Sequence, residues 1–175
     1  MHPTIVLTTS TSGHEPRMRS WGRFRDHVRS SLAAPTAQVE EWTGEGYPGQ
    51  GPVSFWRLFA PNHRELARAF VLYSSLPSAR SHLAELLERR GQLTIVTLRG
   101  SEPRTHGWYA TLDGSPQFTC SRWYGGNAAA GQAGLGAIHA LEDVQIAPTV
   151  RHPVLAESAV SELVSAIHQD EGRLR

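Results

Sequence analysis

The sequence of 175 residues contains no lysine, a single cysteine and no long apolar run. With Cys120 as its one cysteine, the chain cannot form an internal disulfide or an all-cysteine zinc site. Its longest apolar runs, such as Ile5–Leu7, fall far short of the ~20 residues that a membrane-spanning helix requires. They are also too short for the apolar part of a secretory signal. We therefore expect a cytoplasmic protein that has no membrane partner.

All 17 cationic residues are arginines, and 16 acidic residues leave a net charge of +1. Arginine clamps phosphates and carboxylates through its planar fork, although a GC-rich coding sequence also replaces lysine with arginine. The small net charge creates no strong field toward nucleic acid. Residues 1–36 are more basic, with a local net charge of +3. The arginines of this segment are Arg17, Arg19, Arg23, Arg25 and Arg29.

The basic segment can form a short strand at Thr4–Thr9 and also contains an amphipathic helix pattern that begins near Ser20, a residue suited to an N-cap. Trp21, Phe24, Val28 and Leu32 recur at helical spacing along one side. A basic amphipathic helix can bind an acidic partner. The simpler reading, which we favour, is that the apolar stripe docks on the chain's own domain.

The middle of the chain reads as two copies of one unit, each with two strands followed by a helix. Trp56 in the first copy corresponds to Trp108 in the second, and Tyr73 corresponds to Tyr124. An Asp113-Gly114 pair marks a hairpin turn in the second copy. The expected elements are strands from Val53, Glu65–Tyr73, Leu93–Leu98, Trp108–Leu112, Gln117–Tyr124 and Asp143–Ala147, and helices Leu76–Leu87 and Ala128–Leu141, the latter capped by Asn127.

The two copies, WRLFAPNHRELARAFVLYSSLPSARSHLAELL (Trp56–Leu87) and WYATLDGSPQFTCSRWYGGNAAAGQAGLGAI (Trp108–Ile138), resemble the YegP-like family. These are small bacterial domains of unknown function that usually occur in tandem. The resemblance implies an α+β fold with a single mainly antiparallel sheet built from two β-β-β-α repeats, whose helices lie on one face. It implies no catalytic residues and no cofactor. The corresponding division is an extension at 1–36, repeats at 37–100 and 101–147, and an extension at 148–175.

The strands carry apolar residues on both sides, as Phe55 and Trp56 illustrate, because side chains alternate along a strand. A sheet covered on one side only should alternate apolar and polar residues. We therefore expect the N- and C-terminal extension helices to cover the second face; the alternative is a homodimer that buries it. The C-terminal stripe comprises Leu155, Ala159, Val160, Leu163, Val164 and Ile167.

Signals for catalysis and metal binding are weak. Cys120 lies in the middle of a strand, whereas activated cysteines usually sit at helix N-termini or beside cations. The glycines around Asn127 lack the spacing of a phosphate-binding loop. His139 and Glu142 share a helix face, but a metal site needs at least a third ligand. We expect no enzymatic activity, with Cys120-dependent chemistry as the alternative.

The sequence thus predicts a non-enzymatic interaction module that acts through protein–protein contacts. Its oligomeric state stays open between a monomer with internal pseudo-symmetry and a homodimer. The alternative is a nucleic-acid or ribosome-associated protein, because arginines near aromatic residues can bind single strands. The candidate partner-binding residues are Arg17, Arg19, Arg23, Arg25, Arg29, Arg57, Arg64, Arg68, Arg122 and Trp123.

Overall fold

A computed structural model describes residues 2–10, 16–32 and 52–148, with side chains of the first helix described from Arg19 onward. This part of the chain forms one seven-stranded, mostly antiparallel sheet and three helices, which confirms the predicted α+β class. The elements are β1 (Thr4–Ser10), α1 (Pro16–Ser31), β2 (Val53–Phe59), β3 (Glu65–Ala69), α2 (Leu76–Glu88), β4 (Thr94–Arg99), β5 (His106–Leu112), β6 (Ser115–Cys120), α3 (Asn127–Ala140) and β7 (Gln145–Ile146).

The strand order is β4-β5-β6-β3-β2-β1-β7, and only β7 lies parallel to its neighbour. The sheet has two halves that meet where β3 pairs with β6. In each half the chain returns to its middle strand just before the helix. Tyr73 bridges back to Ser54, and Tyr124 bridges back to His106, each through two backbone hydrogen bonds of 2.8 Å. The two tyrosines therefore occupy equivalent positions in the two halves.

The strand β1 belongs to the sheet, although we expected residues 1–36 to form an extension outside the core. It pairs with β2 along its whole length, from Thr4 opposite Phe59 to Ser10 opposite Val53. Ile5 is fully buried. The physical reason is that β2 carries apolar residues and needs a partner on its outer edge. The strand β1 takes the place beside β2 that β4 takes beside β5.

Helices α2 and α3 pack on the face of the sheet that carries Trp56 and Trp108, both fully buried. Ser75 caps α2 by accepting a hydrogen bond from the Ser78 amide at 3.2 Å. The cap of α3 differs from the expected one, because Gly126 occupies the N-cap position and makes no side-chain hydrogen bond. Asn127 is the first residue of the helix instead.

Helix α1 packs on the opposite face. The pairing register places Ile95, which lies under α3, on the same face as Trp56. Phe55 points to the other face, where its ring lies 5.3 Å from that of Trp21. One helical turn further along, Phe24 lies against the backbone of Gly107 in β5. Helix α1 therefore contacts both halves of the sheet.

Two further sequence expectations concern the C-terminal helix and membrane-spanning segments. The helix expected in the C-terminal extension falls on residues 149–175, outside the described residues. Within the described part of the chain, no helix is long and apolar enough to cross a membrane.

Candidate functional site

Arg25 packs between α1 and the sheet. It is 7% exposed, and its guanidinium lies 5.3 Å from the ring centre of Trp21 and 5.4 Å from that of Phe70. Arg29, one turn later, lies 5.7 Å from the Phe70 ring and pairs with Asp26 at 3.3 Å. A guanidinium stacked on aromatic faces is attracted by their electron-rich surfaces. A side chain as buried as Arg25 cannot reach a partner unless α1 moves.

Arg57 and Arg68 share one carboxylate on the face that α1 covers. The Arg68 Nε atom donates to Glu65 Oε1 at 2.7 Å, and Arg57 Nη1 lies 3.9 Å from Glu65 Oε2. The Arg57 guanidinium also lies 5.1 Å from the Phe59 ring centre. Part of the charge that the sequence assigned to partner binding is therefore compensated within the sheet.

Four other candidates, Arg19, Arg23, Arg64 and Arg122, have exposed side chains. None of them forms an ion pair with another described residue. The Arg17 side chain lies outside the described residues. The structure thus separates the predicted arginines into those that pack within the fold and those that face solvent.

The indole of Trp123 is 41% exposed, yet it is held from several sides. Its centroid lies 4.8 Å from that of Phe24 and 6.1 Å from that of His27. It also lies against the backbones of Gly100 and Gly107, where a Cβ atom would come within 3.1 and 3.0 Å of Trp123 Cζ3. The space that this ring occupies is therefore available only because Gly100 and Gly107 have no side chains.

Three exposed arginines lie on the segments that meet at this tryptophan, but they do not surround its ring. Arg122 precedes it and lies 5.0 Å from the Tyr124 ring. His27 Nε2 donates to the Arg99 carbonyl oxygen at 2.5 Å, yet the register with β5 places the Arg99 side chain on the α3 face, opposite to Trp123. Arg23 lies one turn before His27 on the same side of α1. We call Trp123 and the residues that hold its ring, Phe24, His27, Gly100 and Gly107, the Trp123 surface.

Sequence reasoning singled out Trp123 but missed His27, Gly100 and Gly107, which hold its ring. The apolar pattern of residues 93–98 identified β4 correctly and drew no attention to the glycine that follows this strand. The available signal was Gly100 itself, a residue at a strand end that allows close approach of a ring.

A buried polar pair joins the end of the first half to α2. The Tyr73 hydroxyl lies 2.6 Å from His82 Nδ1. Burial raises the pKa of Tyr73, against a smaller opposing effect of Trp56. Burial also lowers the pKa of His82, with smaller opposing effects of Gln117 and Glu85. Both groups are therefore neutral at neutral pH, and the hydrogen bond between them joins α2 to the end of the first half of the sheet.

Cys120 is buried at the end of β6 rather than in the middle of a strand as expected, and the Trp108 amide donates a hydrogen bond to its sulfur at 3.4 Å. Burial raises the pKa of the thiol to about 11. His139, which shares a helix face with Glu142, is exposed on α3, and its Nδ1 atom lies 3.2 Å from Glu142 Oε2. The thiol therefore stays protonated at neutral pH and is a poor nucleophile in the folded protein. No cluster of three or more metal-ligating side chains occurs among the described residues.

The described residues are more basic than the whole chain. They contain fourteen arginines and eight acidic residues, a net charge of +6, whereas the full sequence has a net charge of +1. Fold and surface together define, over residues 2–10, 16–32 and 52–148, an α+β single-sheet body that is basic and has one exposed tryptophan. Comparison with protein-family models, with curated proteins and with solved structures finds no match.

Proposed function

We propose that the protein is a non-enzymatic interaction module that binds a partner protein through the Trp123 surface. The observation that carries the proposal is a partly exposed indole that Phe24, His27 and the backbones of Gly100 and Gly107 hold in place. Tryptophan and arginine dominate the binding energy of protein interfaces. A ring that is already immobilised also loses little conformational entropy on binding.

A second candidate function is the binding of single-stranded nucleic acid. The net charge of +6 on the described residues favours it, because arginines neutralise phosphates and an exposed indole can stack on a base. Within α1, however, Arg25 is buried and Arg29 is paired with Asp26. The docked helix therefore offers fewer free cations than its sequence suggests.

The test is capture of host-cell proteins on three immobilised forms of the full chain: wild type, Trp123→Ala and Leu135→Ala. Leu135 is the matched control, because it is an exposed apolar side chain on α3, on the other face of the sheet. We expect the wild type and Leu135→Ala to retain the same proteins and Trp123→Ala to lose them. Equal retention by all three forms would refute the proposal. Loss of the retained material after nuclease treatment would favour the second candidate.

We also propose that the two halves of the sheet are YegP-like repeats and that residues 148–175 add a helix on the face that α1 covers. The equivalent bridges at Tyr73 and Tyr124 support the first part. The second part is supported by Val6 and Phe59, which lie on that face and are only partly buried. Leu163→Asp should then accelerate amide exchange in β1 and β2. Unchanged exchange would refute the docking of this segment.

A further inference from the structure

We propose that two copies of this chain associate through the outer edge of β4, so that their sheets join into one. Each β4 strand then lies antiparallel to β4 of the second copy, about a two-fold axis that passes beside Val96. This contact goes beyond the proposed function, because it involves the edge of the sheet rather than the ring of Trp123.

The outer edge of β4 lacks the usual protection of a strand edge. Within the described residues, β4 is the last strand on its side of the sheet, and its register with β5 runs without a bulge. Residues 93–98 contain no charged residue and no proline. The opposite edge is β7, a strand of only two residues that Ala147 and Pro148 follow. Since monomeric proteins protect exposed edges with charges, prolines, bulges or very short strands, the edge of β4 is suited to pairing.

The backbone hydrogen bonds show which groups of β4 are open. His106 of β5 exchanges two hydrogen bonds of 2.8 Å with Tyr124, so its backbone groups point away from β4. The residue opposite Val96 lies three positions further along β5 and points toward β4, because this direction alternates along an antiparallel strand. Val96 therefore bonds to β5, and the N–H and C=O groups of its neighbours, Ile95 and Thr97, point to the open edge.

A second copy of the same strand fits these open groups. With the two-fold axis beside Val96, each Ile95 lies opposite Thr97 of the second copy, and the two residues exchange both backbone hydrogen bonds. Val96 is 37% exposed and then lies against Val96 of the second copy, in the type of pair where side chains are closest. Since residues 93–98 carry no charge, the edge selects an uncharged, β-branched strand rather than an acidic or basic segment, and its own copy is such a strand.

Helix α3 offers a matching surface above the same edge. It contains no Asp, Glu, Lys or Arg residue, although a surface helix usually carries charged residues on its outer side. Gly131 lies over β4, where a Cβ atom would come within 3.7 Å of Thr97 Cγ2. Leu135 follows one turn later on the same side of the helix and is 62% exposed. This side of α3 is therefore apolar and uncharged, like the core of a protein interface.

The spacing of strands and helices permits the joined arrangement. Helix α3 packs over β4 and β5, and neighbouring strands lie about 4.8 Å apart. In the joined sheet the two α3 helices are therefore two strand spacings apart, roughly 10 Å, which is the distance of packed helices. The chain already contains this arrangement once, because the antiparallel pair β3–β6 joins two halves of the sheet beneath α2 and α3.

Sedimentation velocity of the full chain tests the interface. Between about 1 and about 100 μM, the wild type should shift from monomer to dimer as the concentration rises. Val96→Lys places two like charges opposite each other at the two-fold axis, and Leu135→Glu does the same between the two helices. Each variant should raise the dissociation constant of the dimer by more than about tenfold.

Ile146→Lys is the matched control for Val96→Lys. Ile146 is 38% exposed and lies on β7 at the opposite edge, so this variant should dimerise like the wild type. Leu135→Ala keeps the side of α3 uncharged and should also dimerise, so it remains a control for Trp123→Ala. Because Val96, Leu135 and Ile146 are exposed, all the variants should keep the far-UV circular dichroism of the wild type.

Amide exchange locates the pairing without a substitution. With mass spectrometry that resolves single residues, the Ile95 and Thr97 amides should exchange more slowly at the highest concentration than at the lowest. The Val96 amide bonds to β5 within one chain, so its exchange should depend much less on concentration. Unchanged exchange of the Ile95 and Thr97 amides in a dimeric sample would contradict pairing through β4.

Other outcomes would also overturn the proposal. One is a wild type that stays monomeric at every concentration. Another is a dimer that Ile146→Lys dissociates and Val96→Lys does not, since it would use the opposite edge. Slow exchange of the Ile95 and Thr97 amides in a monomeric chain would mean that another segment of the same chain covers β4. If the wild type is monomeric and Val96→Lys loses captured host proteins, the edge accepts a strand of another protein instead of a second copy.

Discussion

Two glycines of α3 allow a direct test of how this helix packs. Gly134 faces the sheet and is buried, whereas Gly136, two residues later, is exposed. A Cβ atom on Gly134 would lie 2.7, 3.0 and 3.1 Å from three side-chain carbons of Ile95. A Cβ atom on Gly136 would meet nothing within 4 Å. Only the first glycine is therefore required by the fold.

Alanine at either position gains about 1 kcal/mol of helix propensity over glycine. At Gly136 nothing opposes this gain, so Gly136→Ala should be more stable than the wild type by about 1 kcal/mol. At Gly134 the new methyl group overlaps Ile95, and overpacking of this kind costs roughly 1–3 kcal/mol. Gly134→Ala should therefore be less stable than Gly136→Ala by about 1–3 kcal/mol, because the propensity gain cancels between the two variants.

The assay is urea unfolding of the wild type and both variants, followed by far-UV circular dichroism. Gly134→Ala made in an Ile95→Ala background supplies the control, since removal of the Ile95 branch should abolish most of the penalty. A free energy of unfolding for Gly134→Ala within about 0.5 kcal/mol of that for Gly136→Ala would refute the packing of α3 on β4.

Three further predictions concern other positions. The pKa of His82 is lower in the folded protein than in the unfolded chain. The neutral imidazole therefore makes its full contribution to the free energy of unfolding above about pH 6.5, and this contribution is lost as the pH falls and the unfolded chain takes up the proton more readily. His82→Gln should reduce the difference in free energy of unfolding between about pH 7.5 and pH 5, and an unchanged difference would contradict the assignment. The Cys120 thiol, with its pKa near 11, should react with iodoacetamide at neutral pH only after urea unfolding; rapid labelling of the folded protein would show that it is accessible. Gly107→Ala places a Cβ atom 2.7 Å from Phe24 Cε2, so it should weaken the docking of α1 by about 1–3 kcal/mol and accelerate amide exchange in α1, whereas Gly22→Ala, with open space around it, should not.

Local patterns predicted most of the elements. The β-branched run at residues 93–98 became β4 (Thr94–Arg99), and the Leu76–Leu87 stripe became α2 (Leu76–Glu88) with Pro77 in its first turn. Asp113 and Gly114 form the expected turn, with positive φ angles of 51° and 80°. These predictions succeeded because turn chemistry and apolar spacing act over a few residues.

Other features depended on partners that are distant in sequence. A short strand at Thr4–Thr9 was expected within an extension, yet β1 belongs to the sheet and pairs with β2, more than forty residues away along the chain. Glu65 reaches Arg57 only because β2 pairs with β3, whereas its bond to Arg68 is local, three residues along the same strand. The order of residues along the chain does not show which strands pair, because strand pairing is set by the register of the assembled sheet.

The amino-acid sequence by itself determined the strands, the helices, their turns and the need to cover both faces of the sheet, since these follow from short-range spacing and side-chain alternation. The tertiary structure decided which of the many arginines became free to bind. Arg25 was buried against Trp21 and Phe70, whereas Arg19 and Arg23 on the same helix stayed exposed. The reason is that the availability of a charge depends on what packs against it, and only the folded chain brings α1, the end of β4 and the end of β6 together.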